Sequence, residues 1–167
     1  MGSWNIGKDK ALEWIKANFK EGDTCLDVGA CNGKWSELLG GYLIMDACEA
    51  WSANVRKNNL AEKYRRVYIT EIQNLRYDFY DLIIFGDVIE HMTVKDAQEV
   101  ICYALPRCKD LIVAVPYLYP QGERDGNPYE VHKQADLTPR VFEERYPGLE
   151  PIYMTPRYGY YTKRGKI

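Results

Sequence analysis

Five short apolar runs alternate with segments of helical pattern over the first two thirds of the chain, and this alternation constrains the possible folds most. The runs are TCLDVGA, YLIMD, RVYIT, DLIIFGDV and DLIVAVPY. The near-continuous apolar character of DLIIFGDV is typical of a strand that is covered on both faces. Short connections between such units favour right-handed crossovers and a parallel sheet. The pattern therefore predicts an α/β fold of the Rossmann-like kind, with five parallel strands and helices on both faces.

The alternation ends after Pro116. A long polar and aromatic connection follows over residues 117–137, and a connection of this length in a compact domain is usually functional or disordered. Thr138 and Pro139 then form an N-cap and a first-turn proline for a helix in RVFEERY. The segment LEPIYMTPRYGYYTKRGKI reads as two strands about a Pro156–Arg157 turn, which predicts a C-terminal antiparallel hairpin.

Composition limits the class of protein. The chain has 167 residues, so we expect residues 1–167 to form a single domain. A net charge of −2 gives no general attraction to nucleic acid or to an anionic membrane, so neither is expected as a partner.

The sequence has no apolar run of membrane length and no secretory signal, so we expect a cytoplasmic protein. Its five cysteines are then expected to be reduced. No metal is expected, because no metal-ligand spacing is visible. The oligomeric state is left open.

The run CLDVGACNGKW places an acid and two glycines directly after the first predicted strand. Ligands of open α/β sheets bind beyond the carboxyl ends of the strands, and glycine there allows a ligand to approach the backbone closely. Asp27 ends the first strand, and Asp46 ends the second predicted strand. A carboxylate at the second position can accept hydrogen bonds from both ribose hydroxyls. Glu49 is the alternative for this role, in which case Asp46 would cap the next helix.

The glycine spacing distinguishes between nucleoside ligands. A dinucleotide fingerprint is G-x-G-x-x-G, whereas this chain has Gly29-x-x-x-Gly33 with Asp27 beside it. A carboxylate at this point disfavours a pyrophosphate and favours a cationic ligand such as S-adenosylmethionine. A nicotinamide dinucleotide is retained as the weaker alternative.

These motifs resemble those of the class I S-adenosylmethionine-dependent methyltransferases. LDVGACNG is similar to the (D/E)-x-G-x-G-x-G signature, with Cys31 in place of the middle glycine. YLIMD is similar to the second-strand acid, and TEIQNL to the segment that contacts adenine. YDLIIFGDVIEHM resembles the fourth-strand signature D-V-x-E-H of the branch that includes quinone-biosynthesis methyltransferases. The resemblance implies S-adenosylmethionine as cofactor, with contacts at Asp27, Gly29, Ala30, Cys31, Gly33, Asp46, Ala47, Glu71, Ile72 and Asp87.

The resemblance also implies methyl transfer to a small or medium polar acceptor. Glu90 and His91 follow the fourth strand, where acceptor and methyl group should meet, and His132 lies in the long connection. We expect these three as catalytic residues; the alternatives are a structural role for Glu90, a backbone-bonded His91 and an exposed His132. The segment GNPYEVHK is similar to a G-N-x-x-E-x-H pattern in bacterial members of the branch, which gives the narrower expectation of a sugar- or glycan-related acceptor.

Two further alternatives remain from the sequence. A non-catalytic domain that binds S-adenosylmethionine or a nucleoside would keep the same glycine turn. Tyr117, Tyr119 and Tyr129 offer flat faces for a polar ring, but they could equally cover the edge of the sheet.

Overall fold

The structure, a computed structural model, describes residues 5–163 and contains one seven-stranded mixed sheet. The strands are β1 (Thr24–Val28), β2 (Ile44–Glu49), β3 (Arg66–Ile69), β4 (Tyr80–Gly86), β5 (Cys108–Pro116), β6 (Leu149–Met154) and β7 (Tyr158–Lys163). Their order is β3-β2-β1-β4-β5-β7-β6. The first five strands are parallel, and β7 pairs antiparallel with both β5 and β6. The predicted parallel sheet and the C-terminal hairpin are confirmed.

Within the described residues, six helices connect and cover the strands. They are α1 (Lys8–Asn18), α2 (Lys34–Leu39), α3 (Ser52–Lys57), α4 (Leu60–Lys63), α5 (Val94–Ala104) and α6 (Pro139–Arg145). Short 3₁₀ helices lie at Ile72–Asn74, Ile89–His91, Leu105–Arg107 and Pro128–Glu130. The Thr138 hydroxyl accepts a hydrogen bond from the Val141 N–H, which confirms the predicted N-cap of α6. Within residues 5–163, no helix is long and apolar enough to span a membrane.

The core consists of two apolar layers, one on each face of the sheet. Successive strand residues alternate between them: Cys25 belongs to one layer, and Leu26 to the other. In β4, residues 82–85 are all fully buried, as expected for a central strand that is covered on both faces. Tyr158, Tyr160 and Tyr161 of β7 are also fully buried, so these three tyrosines serve packing.

Candidate functional site

A cavity of about 450 Å³ opens at the carboxyl ends of the parallel strands. Its walls are the turn after β1, the ends of β2 and β4, the segment after β3 and part of the 117–137 connection. The strand order reverses between β1 and β4, and such a switch point is the usual ligand site of an open α/β sheet. The volume lies within the range of small-molecule sites.

The turn after β1 has a left-handed backbone at three alternate positions. The φ angles are 69° at Gly29, 48° at Cys31 and 77° at Gly33. Cys31 therefore adopts a conformation that favours glycine, at the position where the resemblance expects one. Gly29, Ala30 and Cys31 line the cavity. Gly33 does not, because a Cβ there would point at the Lys63 side chain instead, 2.7 Å from its Cδ.

Glu49 supplies the carboxylate at the end of β2 that faces the cavity. Its Oε2 accepts the Cys31 N–H at 2.8 Å, and its Oε1 accepts the Trp51 N–H at 2.9 Å. The Asn54 amide lies 3.4 Å from the same Oε1. Burial raises the pKa of Glu49, although the two backbone N–H groups oppose this shift. The sequence analysis gives Glu49 only as the alternative to Asp46 for the ribose contact, and it does not predict a role for Asn54.

Asp46 does not reach the cavity, which corrects its expected ribose contact and that of its neighbour Ala47. Both residues are fully buried inside β2, because the strand continues to Glu49 instead of ending at Asp46. The Asp46 carboxylate accepts hydrogen bonds from Arg65 Nε at 2.9 Å, Arg65 Nη2 at 2.8 Å and the Tyr80 hydroxyl at 2.7 Å. Burial alone would raise the pKa of Asp46, but these hydrogen bonds outweigh it and lower the pKa. Asp46 is therefore a structural carboxylate.

Asp46→Asn is expected to destabilise the fold by about 1–3 kcal/mol, because the amide cannot pair with both Arg65 and Tyr80 as a carboxylate does. The lowered pKa of Asp46 means that its stabilisation is present at neutral pH and is lost as the pH falls through that pKa. Urea denaturation at pH 7 and at pH 3 measures both effects. We expect the difference in the free energy of unfolding between variant and wild type to be smaller at pH 3 than at pH 7. An equal difference at the two pH values would show that the loss comes from packing.

Asp27 does not line the cavity either. The structure therefore does not support its expected direct contact with the cofactor. Asp27 is 1% exposed, and its carboxylate accepts a hydrogen bond from the Tyr64 hydroxyl. Burial raises the pKa of Asp27 to about 7, while the Tyr64 hydrogen bond and the charge of Lys8 oppose the shift. The Asp27 side chain therefore pairs with Tyr64 inside the protein.

Glu71, Ile72 and Asp87 all line the cavity, so the structure brings these three predicted residues to one site. Glu71 is exposed, and the Tyr129 hydroxyl lies 3.4 Å from its Oε1, so the 117–137 connection spans the cavity at this point. Asp87 has φ 58° and accepts a hydrogen bond from the Tyr158 hydroxyl. Tyr119 and Tyr129 line the cavity, whereas Tyr117 is buried against Tyr161 and covers the sheet.

Glu90, His91 and His132 converge on one side of the cavity, with one ligand atom of each within 4.8 Å of the others. The sequence shows no metal-ligand spacing, whereas the fold brings these three potential ligands together. Burial, with the nearby charge of Asp87, raises the pKa of Glu90 well above its usual range. Burial and the neighbouring His132 lower the pKa of His91 to about 4, and burial lowers the pKa of His132. At neutral pH both imidazoles are neutral and carry lone pairs.

No family model and no curated protein matches this chain. Solved structures do resemble it. An S-adenosylmethionine-dependent methyltransferase from Clostridium acetobutylicum has a TM-score of 0.72 at 16% identity, covering 95% of this chain and 90% of that one. DhpI in complex with SAM and HEP has a TM-score of 0.67 at 16% identity, covering 95% and 86%. The N-methyltransferase NodS from Bradyrhizobium japonicum has a TM-score of 0.65 at 10% identity, covering 94% and 92%. The chain thus has the α/β fold of S-adenosylmethionine-dependent methyltransferases.

Proposed function

We propose that this chain is a single-domain methyltransferase that uses S-adenosylmethionine and releases S-adenosylhomocysteine. The observation that carries the proposal is that the left-handed turn after β1 and the Glu49 carboxylate open on one cavity at the switch point of the sheet. The neighbours of the same fold include a methyltransferase named as S-adenosylmethionine-dependent and a complex that contains SAM.

The residues around the cavity fit a nucleoside that carries no phosphate. A carboxylate has about four acceptor positions, and three donors occupy Glu49, so one position remains for a ribose hydroxyl. The Cys31 N–H already donates to Glu49 and is not free for a pyrophosphate. Glu71 and Ile72 line the same cavity, which supports the adenine contact that the resemblance implies for them. This arrangement disfavours the nicotinamide alternative.

S-adenosylmethionine supplies a methyl group on a sulfonium, and the methyl carbon bonds to the acceptor as its bond to sulfur breaks. Such an in-line displacement depends mainly on alignment, so the rigid turn and the carboxylates contribute by orienting the two substrates. Where the acceptor must lose a proton, a neutral imidazole of His91 or His132 offers the lone pair that accepts it.

We further propose a small or medium polar acceptor. The 117–137 connection contributes Tyr119, Gln121, Tyr129 and His132 to the wall, so that flat aromatic faces alternate with hydrogen-bonding groups. The connection is ordered by its own bonds, such as those from Gln121 Nε2 to the Glu130 carbonyl at 2.8 Å and carboxylate at 3.0 Å. The G-N-x-x-E-x-H resemblance of this segment supports a sugar- or glycan-related acceptor as the narrower form of the proposal.

Isothermal titration with S-adenosylmethionine, S-adenosylhomocysteine and NAD tests the cofactor. We expect saturable one-to-one binding of both sulfur ligands and no binding of NAD; the reverse result would refute the proposal. Turnover then separates an enzyme from a non-catalytic binding domain. With a panel of hydroxyl and amine acceptors, an enzyme forms S-adenosylhomocysteine in an acceptor-dependent manner, whereas a binding domain forms none.

A further inference from the structure

We propose that Glu90, His91 and His132 form a binding site for one divalent transition-metal cation on the acceptor side of the cavity. One oxygen of Glu90 and one ring nitrogen of each histidine lie within 4.8 Å of one another. The Nε2 atom of His91 is 3.9 Å from Oε1 of Glu90, and the two imidazole rings meet edge to face with centroids 4.6 Å apart. Two elements that are distant in the sequence thus present three metal-binding side chains to one point.

Glu90 provides an independent observation that points to a ligand. The residue is 1% exposed, it lines the cavity, and neither carboxyl oxygen has a hydrogen-bond partner within residues 5–163. Buried polar atoms almost always have a partner, because leaving one unsatisfied is costly. A bound cation would supply that partner.

His132 is held in the tautomer that a metal site needs. Its Nδ1 lies 2.6 Å from the backbone carbonyl oxygen of Tyr119. A carbonyl can only accept a hydrogen bond, so Nδ1 carries the proton and Nε2 presents its lone pair. Protein metal sites commonly orient histidine ligands in this way, through a carbonyl on the second ring nitrogen.

The backbone fixes the two halves of the cluster against each other. The N–H groups of Lys133 and Gln134 both donate to the Glu90 carbonyl, at 2.8 and 3.0 Å. The Gln134 side-chain amide also donates to the Ile89 carbonyl at 2.8 Å. These bonds attach the segment that carries His132 to the 3₁₀ helix that carries Glu90 and His91. The backbone segments that carry the three side chains are therefore held together by the protein's own hydrogen bonds.

The geometry suits a first-row transition ion. Metal–ligand bonds of about 2.0–2.2 Å place ligand atoms about 3–4 Å apart, so a contraction of about 1 Å by side-chain rotation closes the site. Two imidazoles and one carboxylate favour ions such as Mn²⁺, Fe²⁺, Co²⁺ or Zn²⁺ over Mg²⁺ and Ca²⁺, which prefer oxygen ligands alone.

Three protein ligands leave open coordination positions, and all three residues line the cavity. The ion would bind an oxygen atom of the second substrate there, so the site selects an acceptor with a metal-binding oxygen. This assignment of the acceptor rests on the proposed function. An imidazole lone pair that binds the ion cannot also take a proton, so the metal site replaces the general-base role of the histidines.

The chain contains only two histidines, and both are proposed ligands, so untagged wild-type protein gives a direct test. Protein labelled with ¹⁵N-histidine is freed of metal with EDTA, dialysed and titrated with Zn²⁺. We expect one nitrogen signal of each histidine to shift, with saturation at one ion per chain. Signals that do not move would overturn the site, even if zinc binds to cysteines elsewhere.

Calorimetry with Mn²⁺, which binds thiolates weakly, tests the ligand set. We expect Glu90→Gln and His132→Asn each to weaken Mn²⁺ binding at least about tenfold. Glu144→Gln, which removes an exposed acid on α6 away from the cavity, should leave Mn²⁺ binding unchanged. Circular dichroism checks that each variant is folded. Equal Mn²⁺ affinity in all three variants would overturn the proposal.

Titration of S-adenosylmethionine in the presence of EDTA keeps this inference separate from the proposed function. S-adenosylmethionine binding without metal binding would refute the metal site and leave the function standing. Metal binding without S-adenosylmethionine binding would refute the proposed function and leave the metal site standing. In that case only the assignment of the acceptor would be lost together with the proposed function.

Discussion

Glu49→Gln is expected to weaken S-adenosylmethionine binding about tenfold to 100-fold, which corresponds to about 1.5–3 kcal/mol for a charge-assisted hydrogen bond. The carboxylate is the only charged group at the end of β2 that lines the cavity among the described residues. It also accepts the Cys31 N–H, so its loss loosens the turn on which the cofactor rests. Isothermal titration measures the affinity of the two proteins.

Asp46→Asn is the matched control. It removes a carboxylate from the same strand, but this carboxylate is buried against Arg65 and does not line the cavity. We expect it to reduce stability while S-adenosylmethionine binds as in wild type. If Asp46→Asn weakened binding more than Glu49→Gln, the sequence-based assignment of the ribose contact would be restored.

The choice between Asp46 and Glu49 could not be made from the sequence. The letters MDACEA contain an acid at each candidate position, and the small residues between them suit either a strand or a helix start. Pairing decides between them: Val28 pairs with Cys48, and Glu49 pairs with Ile69, so β2 continues three residues beyond Asp46. Register between strands is a long-range property that apolar periodicity alone does not encode.

The fold could be predicted from the sequence more fully than the site. Runs such as DLIIFGDV are apolar because both faces of β4 are buried, and this local signal follows directly from the architecture. The insertion of β7 between β5 and β6 was not predictable in this way, since it depends on which strand edges meet. The convergence of His91 and His132 likewise depends on backbone bonds from Lys133 and Gln134 to Glu90.

Gly29→Ala is expected to destabilise the protein by about 2–5 kcal/mol, the largest loss among the substitutions considered. A left-handed residue costs about 1–2 kcal/mol when it gains a Cβ, and Gly29 has φ 69°. The Cβ would also lie 2.5 Å from Cγ2 of Val88, and overpacking of this kind adds about 1–3 kcal/mol. The sequence predicts that Gly29 is needed for the close approach of a ligand and for its backbone angle; the contact with the Val88 side chain is seen only in the structure. Urea denaturation measures the loss.

Gly41→Ala separates the two contributions. Gly41 has φ 84°, but no atom beyond its chain neighbours lies within 4 Å of the Cβ position, so it carries the backbone cost alone. We expect it to lose about 1–2 kcal/mol. The double variant Gly29→Ala/Val88→Ala should be more stable than the sum of its single variants predicts, by about 1–3 kcal/mol, because the second change removes the clash. Additive losses, or equal losses at Gly29 and Gly41, would show that Val88 moves aside, and the glycine would then be required only for its backbone conformation.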